Sequence, residues 1–456
     1  MPHRDHSPYW GKPAPPEDEQ EWQALVQSRL PADLEEQARL HKAFVRVRTV
    51  PTASALLGGL LYSVLSHSSL REVAGWSRLI GLTGQLISGQ AWHQRLLKSA
   101  DWLLWLFNAL LDAPRWQVAG CFGRILRVDA THVRSRDKRG GVLRLHCVYD
   151  LLAGRLASLQ VSDLHTGEGF AHLLVRAGDI VVGDGASSRA KEVLAVAAAQ
   201  AYALVRYSAT HLPLYARSAP AWSREHRVDV VGWLRSLSPG LSERKALVVE
   251  AGQELPVRLI AVVLPQEQAQ ALRRQKLRQA RHKGRPLSDK ALFLCGFVLL
   301  LTTLPETFWS TQRVVELYRA RWHIEVFFKR LKAVLDLPRL CAQTAQSAQA
   351  MLYALLVGWM LIEEEVEHLR RLMSDGEGLA CPLSDWRLAR LAFSGLRKLL
   401  EGHWNWQKVR ERAPELRRLF IERRRRPLRE HQRRHRFAPP DPGLGDLVVV
   451  FSCSSA

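Results

Sequence analysis

The sequence predicts an α/β protein whose mixed core is flanked by helical segments on both sides. Helical periodicity up to about residue 119 gives way near Gly120 to short segments in which apolar and polar residues partly alternate. Helical periodicity then returns after Leu335. With 456 residues, 47% of them hydrophobic, the chain is long enough for two or three domains with real cores.

The first part of the chain predicts a flexible leader followed by an all-helical domain. Residues 1–16 are rich in proline and lack an apolar signal core, and residues 17–119 form the helical domain. Ser69-Leu70-Arg71-Glu72 is a capping box, Gly81 is a plausible helix stop, and a second helix is expected from about Ser88 into the Trp-rich segment Ala100–Leu111. This order fits a helix-turn-helix and equally an ordinary helical bundle. In the first case five side chains are available to DNA: Gln90, His93, Gln94, Arg95 and Lys98.

Residues 120–338 predict the α/β core. The expected elements are three strands, a short helical piece around Glu168–Val175, a strand, an alanine-rich helix and a fifth strand. The strands are Arg124–Ala130, Val142–Leu151, Leu156–Asp163, Asp179–Gly183 and Tyr202–Tyr207, and the alanine-rich helix is Ser188–Gln200. Together with a later helix that carries an acid, this is the order expected of a ribonuclease-H-like core.

A β-rich insertion is expected within the core, at about residues 210–305. It contains the strand-like segments Lys245–Glu250 and Val257–Leu264, followed by the basic helical run Gln268–Lys283. Leu292–Leu304 then returns the chain to the core, and the helix with the acid starts near Thr311. Residues 339–456 predict a helical C-terminal region whose tract 417–436 holds ten arginines against two glutamates. This tract is either a solvated tail or a phosphate-binding segment.

Composition narrows the class of partner. A net charge of +21 and a pI near 10.2 point to an acidic partner, most often nucleic acid, although ribosome association or simple solvation would also fit. The six cysteines have no metal-ligand spacing and are expected to be buried thiols in a reducing cytoplasm. The longest apolar runs, Leu292–Leu301 and Met351–Ile362, are too short for a membrane span. The sequence therefore predicts a soluble protein.

The segment Tyr318–Lys332, YRARWHIEVFFKRLK, separates its charges from its apolar residues. If the segment is a helix, with about 100° per residue, a single carboxylate and its polar neighbours lie on one face within an arc of roughly 80°. These residues are Tyr318, Arg321, Glu325, Lys329 and Lys332. One acid among phosphate-binding side chains suggests a metal ligand beside a polyanion, whereas pairing of Glu325 with Arg321 and Lys329 is the ordinary explanation.

Two further acids stand at the ends of predicted strands. Asp129 follows the apolar run of RILRVDA, and Asp184 follows IVVG. Each could simply belong to a turn, Asp-Gly being a common turn dipeptide. If the predicted order is right, however, both could converge with Glu325 on one pocket, and carboxylates are the ligands that Mg²⁺ and Mn²⁺ prefer.

The segment from Tyr318 to Lys332 resembles the Y-x2-R-x3-E-x6-K signature of insertion-sequence DDE transposases of the YREK group, the insertion-sequence-four type. VDATHV and IVVGDGASS resemble the family's first-Asp and second-Asp strands, and the resemblance covers Leu56 to about Leu337. In many relatives an aromatic residue or an arginine closely follows the second Asp, whereas Gly185 follows here, so Asp163 stays an alternative to Asp184.

The resemblance implies a site and a fold. Asp129, Asp184 and Glu325 would be the catalytic metal ligands for Mg²⁺ or Mn²⁺, as two ions. Tyr318, Arg321, Trp322, Lys329 and Lys332 would bind DNA. The catalytic domain of the family is ribonuclease-H-like, with a β-rich insertion between the second Asp and the Glu.

The implied function is a DNA transposase that binds terminal inverted repeats as a homodimer on paired ends, in the bacterial cytoplasm with the nucleoid. It would cleave and transfer strands without a covalent protein–DNA intermediate. Two alternatives use the same features: a non-catalytic DNA-binding regulator derived from a transposase, and a stand-alone metal-dependent nuclease. The three acids favour an enzyme over the regulator.

Overall fold

The computed structural model describes residues 17–112, 123–134, 142–153, 155–163, 169–170, 173–209, 211–217, 222–284, 286–319, 331–337, 340, 342, 344–374, 383–401, 403 and 405–420. These residues divide into two compact units. One is mainly helical and contains residues 17–112, 132–134, 142–143 and those from 331 onwards. The other is an α/β unit that contains residues 123–131 and 144–319.

The helical unit combines helices from both ends of the chain. They are α1 (Glu17–Arg29), α2 (Leu34–Leu40), α3 (Ala53–Leu65), α4 (Leu70–Leu79), α5 (Gly89–Lys98), α6 (Ala100–Asp112), α12 (Ala345–Ser374), α13 (Asp385–Leu400) and α14 (Trp406–Phe420). The long helix α12 packs against α3, α5 and α6 and also against α13 and α14. Its side chains Leu352, Leu356 and Val357 are fully buried, so this helix forms the centre of the unit's core.

The helix signals in the sequence are confirmed around α4. The Ser69 side chain accepts a hydrogen bond from the Glu72 backbone N–H, and the Glu72 carboxylate accepts one from the Ser69 N–H. Gly81 lies just beyond the helix in the left-handed region, with φ of 75°. The prediction of one helix from Ser88 into the Trp-rich segment was wrong: α5 ends at Lys98, and α6 starts after Ser99, which caps the break.

The α/β unit is built on an eight-stranded sheet. Its strands are β1 (Ile125–Arg134), β2 (Val142–Asp150), β3 (Arg155–Ser162), β4 (Ile180–Gly183), β5 (Tyr202–Arg206), β6 (Leu241–Glu250), β7 (Gln253–Val263) and β8 (Phe297–Thr302). The spatial order is β3-β2-β1-β4-β5-β8-β7-β6. β4 pairs in parallel with β1 and β5, whereas β2 with β3, and all pairs from β5 to β6, are antiparallel. The five predicted core strands are therefore confirmed.

The predicted insertion segment contributes strands to this same sheet. Both predicted insertion strands are present, as β6 and β7, and β8 joins them to the free edge of β5. The basic helical run is also confirmed, as a helix from Gln266 to His282. The helical piece expected around Glu168–Val175 is not found at residues 173–175, which are irregular, and residues 168, 171 and 172 lie outside the described residues.

Helices cover both faces of the sheet. The described helices of this unit are α7 (Ala190–Ala198), α8 (Val230–Arg235), α9 (Gln266–His282), α10 (Asp289–Phe293) and α11 (Thr311–Arg319). One core cluster joins α7 and α8 to a face that includes Val181. The other joins Val314 and Leu317 of α11 to the opposite face, through Ile180 and Val182. Because residues alternate between faces along a strand, the two clusters lie on opposite sides of the sheet.

An ion pair between the half-buried Arg124 and the buried Asp179 sets the alignment of β1 and β4 where both strands begin. The Asp179 side chain is 2% exposed and accepts hydrogen bonds from Nη2 of Arg124 at 2.7 Å and from the Arg124 backbone N–H at 2.9 Å. It also accepts the Arg176 backbone N–H at 2.8 Å. An acid paired in this way is a structural anchor, since its charge would be costly to bury alone.

One helix in the described part of the chain is long and apolar enough to cross a membrane, at Ala345–Met373 within α12. Its most apolar window is 78% buried inside the protein. A core helix passes the same length and composition test, so the observation is weak evidence for a membrane span. Of the six cysteines, Cys147 and Cys295 lie in the described region, and both are buried thiols as predicted.

Candidate active site

Two of the predicted acids come together where β1 and β4 stop pairing. Ile125 lies opposite Ile180 and Arg127 opposite Val182, a constant offset of 55 residues. The same offset continues from Asp129 to Asp184, and both residues line one pocket. Asp129 is not at the end of its strand, as the sequence suggested, because β1 runs on to Arg134.

Local hydrogen bonds orient both carboxylates. Oδ1 of Asp184 accepts the Ala186 backbone N–H at 2.8 Å and caps a single 3₁₀ turn, Gly185–Ser187. Oδ1 of Asp129 accepts the Ala130 N–H at 2.9 Å. Both residues are half-buried, so they are held in place while still reaching the pocket.

The pocket also depends on a glycine just before Asp184. A Cβ at Gly183 would lie 2.7 Å from Cζ of Phe170 and 2.9 Å from Cβ of Ser187. Phe170 is 3% exposed, so its ring has little room to move. Gly183 therefore lets the end of β4 approach its neighbours closely. Among the described residues, a Cβ at Gly185, on the other side of Asp184, would meet only the Arg206 carbonyl oxygen, at 3.9 Å.

The sequence reasoning missed the polar residues on the β2–β3 side of the pocket. His146 and Gln160 lie opposite each other on the two strands, and Ser158 follows on the same face. Nε2 of His146 lies 2.8 Å from Oγ of Ser162, so a hydrogen bond orients this 8% exposed ring. In LHCVY, His146 and Val148 are two residues apart and therefore share one face of the predicted strand, but the pattern alone predicts only a strand.

The start of α11 is fixed to the sheet by a polar network. Glu243 on β6 accepts two hydrogen bonds from Arg258 on β7, at 2.8 and 2.7 Å, and one from the Thr311 hydroxyl at 2.8 Å. Nη1 of Arg258 donates to the carbonyl oxygens of Leu304 and Trp309. Burial would raise the pKa of Glu243, but the bonds from Arg258 and Thr311, with nearby positive charge, lower it overall. The antiparallel pair β6–β7 thus holds the first residue of α11.

The donor set of the pocket fits a hard cation. Asp129 and Asp184 provide carboxylate oxygens, the ligand type that Mg²⁺ and Mn²⁺ prefer. Within the residues that the structure describes, no group of three or more His, Cys, Asp or Glu side chains could hold a metal ion. Glu325, the predicted third ligand, lies outside those residues, six positions after the end of α11. Asp163, the alternative to Asp184, is exposed after β3 and does not line the pocket.

The predicted DNA-binding residues are only partly described. Tyr318 is half-buried near the end of α11 and packs against the core cluster on that face. Lys332 is half-buried in a helical segment at residues 331–334. Arg321, Trp322 and Lys329 lie outside the described residues.

On α5, Gln90, Gln94 and Lys98 are exposed one turn apart, so they form a line on the helix surface. His93 and Arg95 are half-buried, and Nη1 of Arg95 donates to the Ala91 carbonyl oxygen.

A mixed sheet covered by helices, with two acids meeting just beyond the point where two parallel strands stop pairing, is consistent with a ribonuclease-H-like core. A family comparison makes the class specific: residues 120–361 match the family described as Transposase DDE domain. The chain is 33% identical over 359 residues to the transposase for insertion sequence element IS421 from Escherichia coli, an alignment that covers 76% of this chain and 94% of that protein.

Two other relatives carry similar names. The putative transposase InsL for insertion sequence element IS186A of Escherichia coli (strain K12) is also 33% identical over 359 residues, with the same 76% and 94% coverage. The transposase for insertion sequence element IS231B from Bacillus thuringiensis subsp. berliner is 23% identical over 384 residues, covering 76% of this chain and 80% of that protein. The chain belongs to the DDE transposase family of insertion sequences.

Proposed function

We propose that this transposase belongs to the YREK-signature group and binds the terminal inverted repeats of its own element. It then cleaves and transfers DNA strands at the pocket shared by Asp129 and Asp184. The observation that carries the proposal is the common offset of 55 residues, which aligns the two acids on neighbouring parallel strands. The sequence signature from Tyr318 to Lys332 supports the group assignment.

The proposed metal ligands are Asp129, Asp184 and Glu325, for Mg²⁺ or Mn²⁺. Two bound ions would supply activation of a water or a 3′-hydroxyl and neutralise charge at the leaving oxygen. The chain's own contribution is to hold the carboxylates in position. The hydrogen bond from Ala186 fixes the Asp184 side chain, and the close packing of Gly183 fixes the strand end before it.

DNA would be held by side chains of the signature segment Tyr318–Lys332 and by the helical domain. Tyr318, Arg321, Trp322, Lys329 and Lys332 are proposed to contact the phosphates near the cleaved bond. The exposed line on α5 (Gln90, Gln94 and Lys98) suits the reading of the inverted repeat, because amide and ammonium groups donate to base edges and phosphates. Cleavage of two ends in one complex would require a homodimer.

The experiment incubates the full chain with Mg²⁺ and a labelled duplex that carries its own element's end. End-specific nicking followed by strand joining supports the proposal. Nicking without end preference would indicate a nuclease, and end binding without cleavage would indicate a regulator.

Substitutions test the site within the same assay. Each proposed metal ligand is replaced by its amide, in Asp129→Asn, Asp184→Asn and Glu325→Gln. Each substitution is expected to abolish cleavage and to leave end binding largely intact, because the amide removes the negative charge of the ligand and keeps the shape of the side chain. Asp163→Asn is the matched control, since Asp163 is exposed and lies outside the pocket. If Asp163→Asn stopped cleavage while Asp184→Asn did not, the second acid would have been wrongly assigned.

A further inference from the structure

The helix α9 of the insertion carries a stripe of exposed arginines that the proposed active site does not use. Between Gln266 and His282 there are five Arg or Lys residues, and the only acid is Glu267. Three of the arginines, Arg274, Arg278 and Arg281, are exposed. At about 100° per residue they fall within an arc of about 60°, and they span about 10 Å along the helix axis. We call these three residues the α9 stripe.

The opposite side of the helix is anchored, so the stripe has a fixed orientation. Ala269 is buried, and Nε of the neighbouring Arg273 donates to the Leu292 carbonyl oxygen at 3.1 Å. α9 packs there against the short turn Leu294–Gly296. Arg273 is therefore a structural residue, whereas the α9 stripe faces away from the contact.

Among the described residues, no acid pairs with the arginines of the stripe. In the part of the chain that the structure describes, none of Arg274, Arg278 and Arg281 forms an ion pair, and Glu267 lies two turns away from Arg274. Like charges three or four residues apart destabilise a helix by about 0.2–0.5 kcal/mol per pair. A helix face that serves solubility alone normally carries charges of both signs, which avoids this repulsion. A face with positive charges alone is better explained by binding to a polyanion.

We propose that the α9 stripe binds the phosphate backbone of target DNA. The inference rests on the proposed function, which requires a second DNA besides the element's end. Arginine contacts to phosphate supply affinity but do not depend on the base sequence. Such contacts suit target DNA, because its sequence varies from one insertion to the next. The inverted repeat, by contrast, must be selected by contacts to its bases.

The test compares three variants of the full chain, each with a triple substitution. The first replaces the stripe by glutamine, which keeps helix propensity and removes three charges. The second replaces the stripe by lysine, which keeps the charges. The third is a matched control, Arg217→Gln, Arg224→Gln and Lys290→Gln, which removes three exposed charges elsewhere in the α/β unit. Binding to a short duplex without the end sequence is measured without divalent metal, as a function of salt, and thermal unfolding confirms that each variant is folded.

The glutamine variant is expected to bind this duplex about tenfold or more weakly at about 0.1 M salt. The slope of log affinity against log salt should become less steep by about 2.7, or about 0.9 for each lost phosphate contact. The lysine variant and the matched control should stay near wild type. With the element's own end, the glutamine variant should cleave normally and lose strand transfer into target DNA.

Four results would overturn the inference. Unchanged binding by the glutamine variant would show that the stripe is only solvated, and an equal loss in the matched control would show an effect of net charge alone. A weakened lysine variant would show that charge is not what the stripe provides. Loss of end binding equal to the loss of target binding would assign the stripe to the end instead. Failure of wild type to cleave its end would instead refute the proposed function, whereas the metal-free binding comparison would still test the stripe.

Discussion

Replacing Gly183 by alanine should damage the pocket from within, although no acid is changed. The new Cβ would lie 2.7 Å from Cζ of Phe170 and 2.9 Å from Cβ of Ser187, whereas ordinary contacts start at about 3.4 Å. At least one neighbour must therefore move by about half an ångström or more. Phe170 and Ser187 are both buried, so the shift is expected to pass to the chain at Asp184.

Overpacking of this kind typically costs about 1–3 kcal/mol. For a unit of this size each kcal/mol lowers the melting temperature by about 2–4 °C, so a loss of about 2–12 °C is expected. The assay is thermal unfolding followed by end cleavage at a temperature where the variant is folded. Cleavage should fall more than end binding, because the pocket is displaced and the helical domain is not.

Gly185→Ala is the matched control on the other side of Asp184. Its Cβ would meet one atom, at 3.9 Å, and its backbone is not in the left-handed region, so stability and cleavage should remain near wild type. The reasoning would be refuted if Gly183→Ala melted and cleaved like wild type. It would also fail if Gly185→Ala lost as much as Gly183→Ala.

Two further substitutions test the elements that support the site. Gly59→Ala on α3 would place a Cβ 2.1 Å from the buried ring of Trp92 on α5. We therefore expect the variant to lose about 3 kcal/mol or more of stability in thermal unfolding and to bind the end more weakly. The control is Gly58→Ala, whose nearest contacts are at 3.6 Å, and it should be neutral or stabilising by up to about 1 kcal/mol. Glu243→Gln should cost about 2–3 kcal/mol at neutral pH, because it leaves the buried guanidinium of Arg258 without its carboxylate. Since the pKa of Glu243 is lowered in the folded protein, this stabilisation is complete above the ordinary pKa of about 4.5 and is lost as pH falls through the folded value. Denaturant unfolding of wild type and Glu243→Gln should therefore converge in acid, and a constant difference at all pH values would contradict the assignment.

The sequence predicted which segments of the core are strands better than it predicted which strands pair with each other. The five core strands could be found because each is a short apolar run between turn residues, a local property. That β6 and β7 extend the same sheet could not be found, since pairing of β8 with both β5 and β7 joins segments far apart in the chain. The break at Ser99 was missed because the apolar periodicity of α5 and α6 is nearly continuous across it.

The site shows the same division between local and long-range information. Asp129 and Asp184 stood out because each acid follows an apolar run. His146 and Gln160 did not stand out, because a polar residue on an alternating strand is ordinary until a pocket is known to lie beside it. The difference between Asp184 and Asp163 likewise depends on strand order: Asp163 follows β3, the edge strand two places from β1.

The alignment of Asp129 with Asp184 is explained by an ion pair at the start of their strands, not by contacts in the pocket. The pair of Arg124 and Asp179 joins the starts of β1 and β4, and each partner precedes its candidate catalytic acid by five residues. Parallel strands advance together by about 3.3 Å per residue, so a register fixed at the pair is carried to Asp129 and Asp184 without further adjustment. A shift of one residue would move either acid to the other face of the sheet. Asp179 does not line the pocket, and its contribution is to fix the register of the two strands. Its role therefore differs from that of Asp129 and Asp184, which line the pocket.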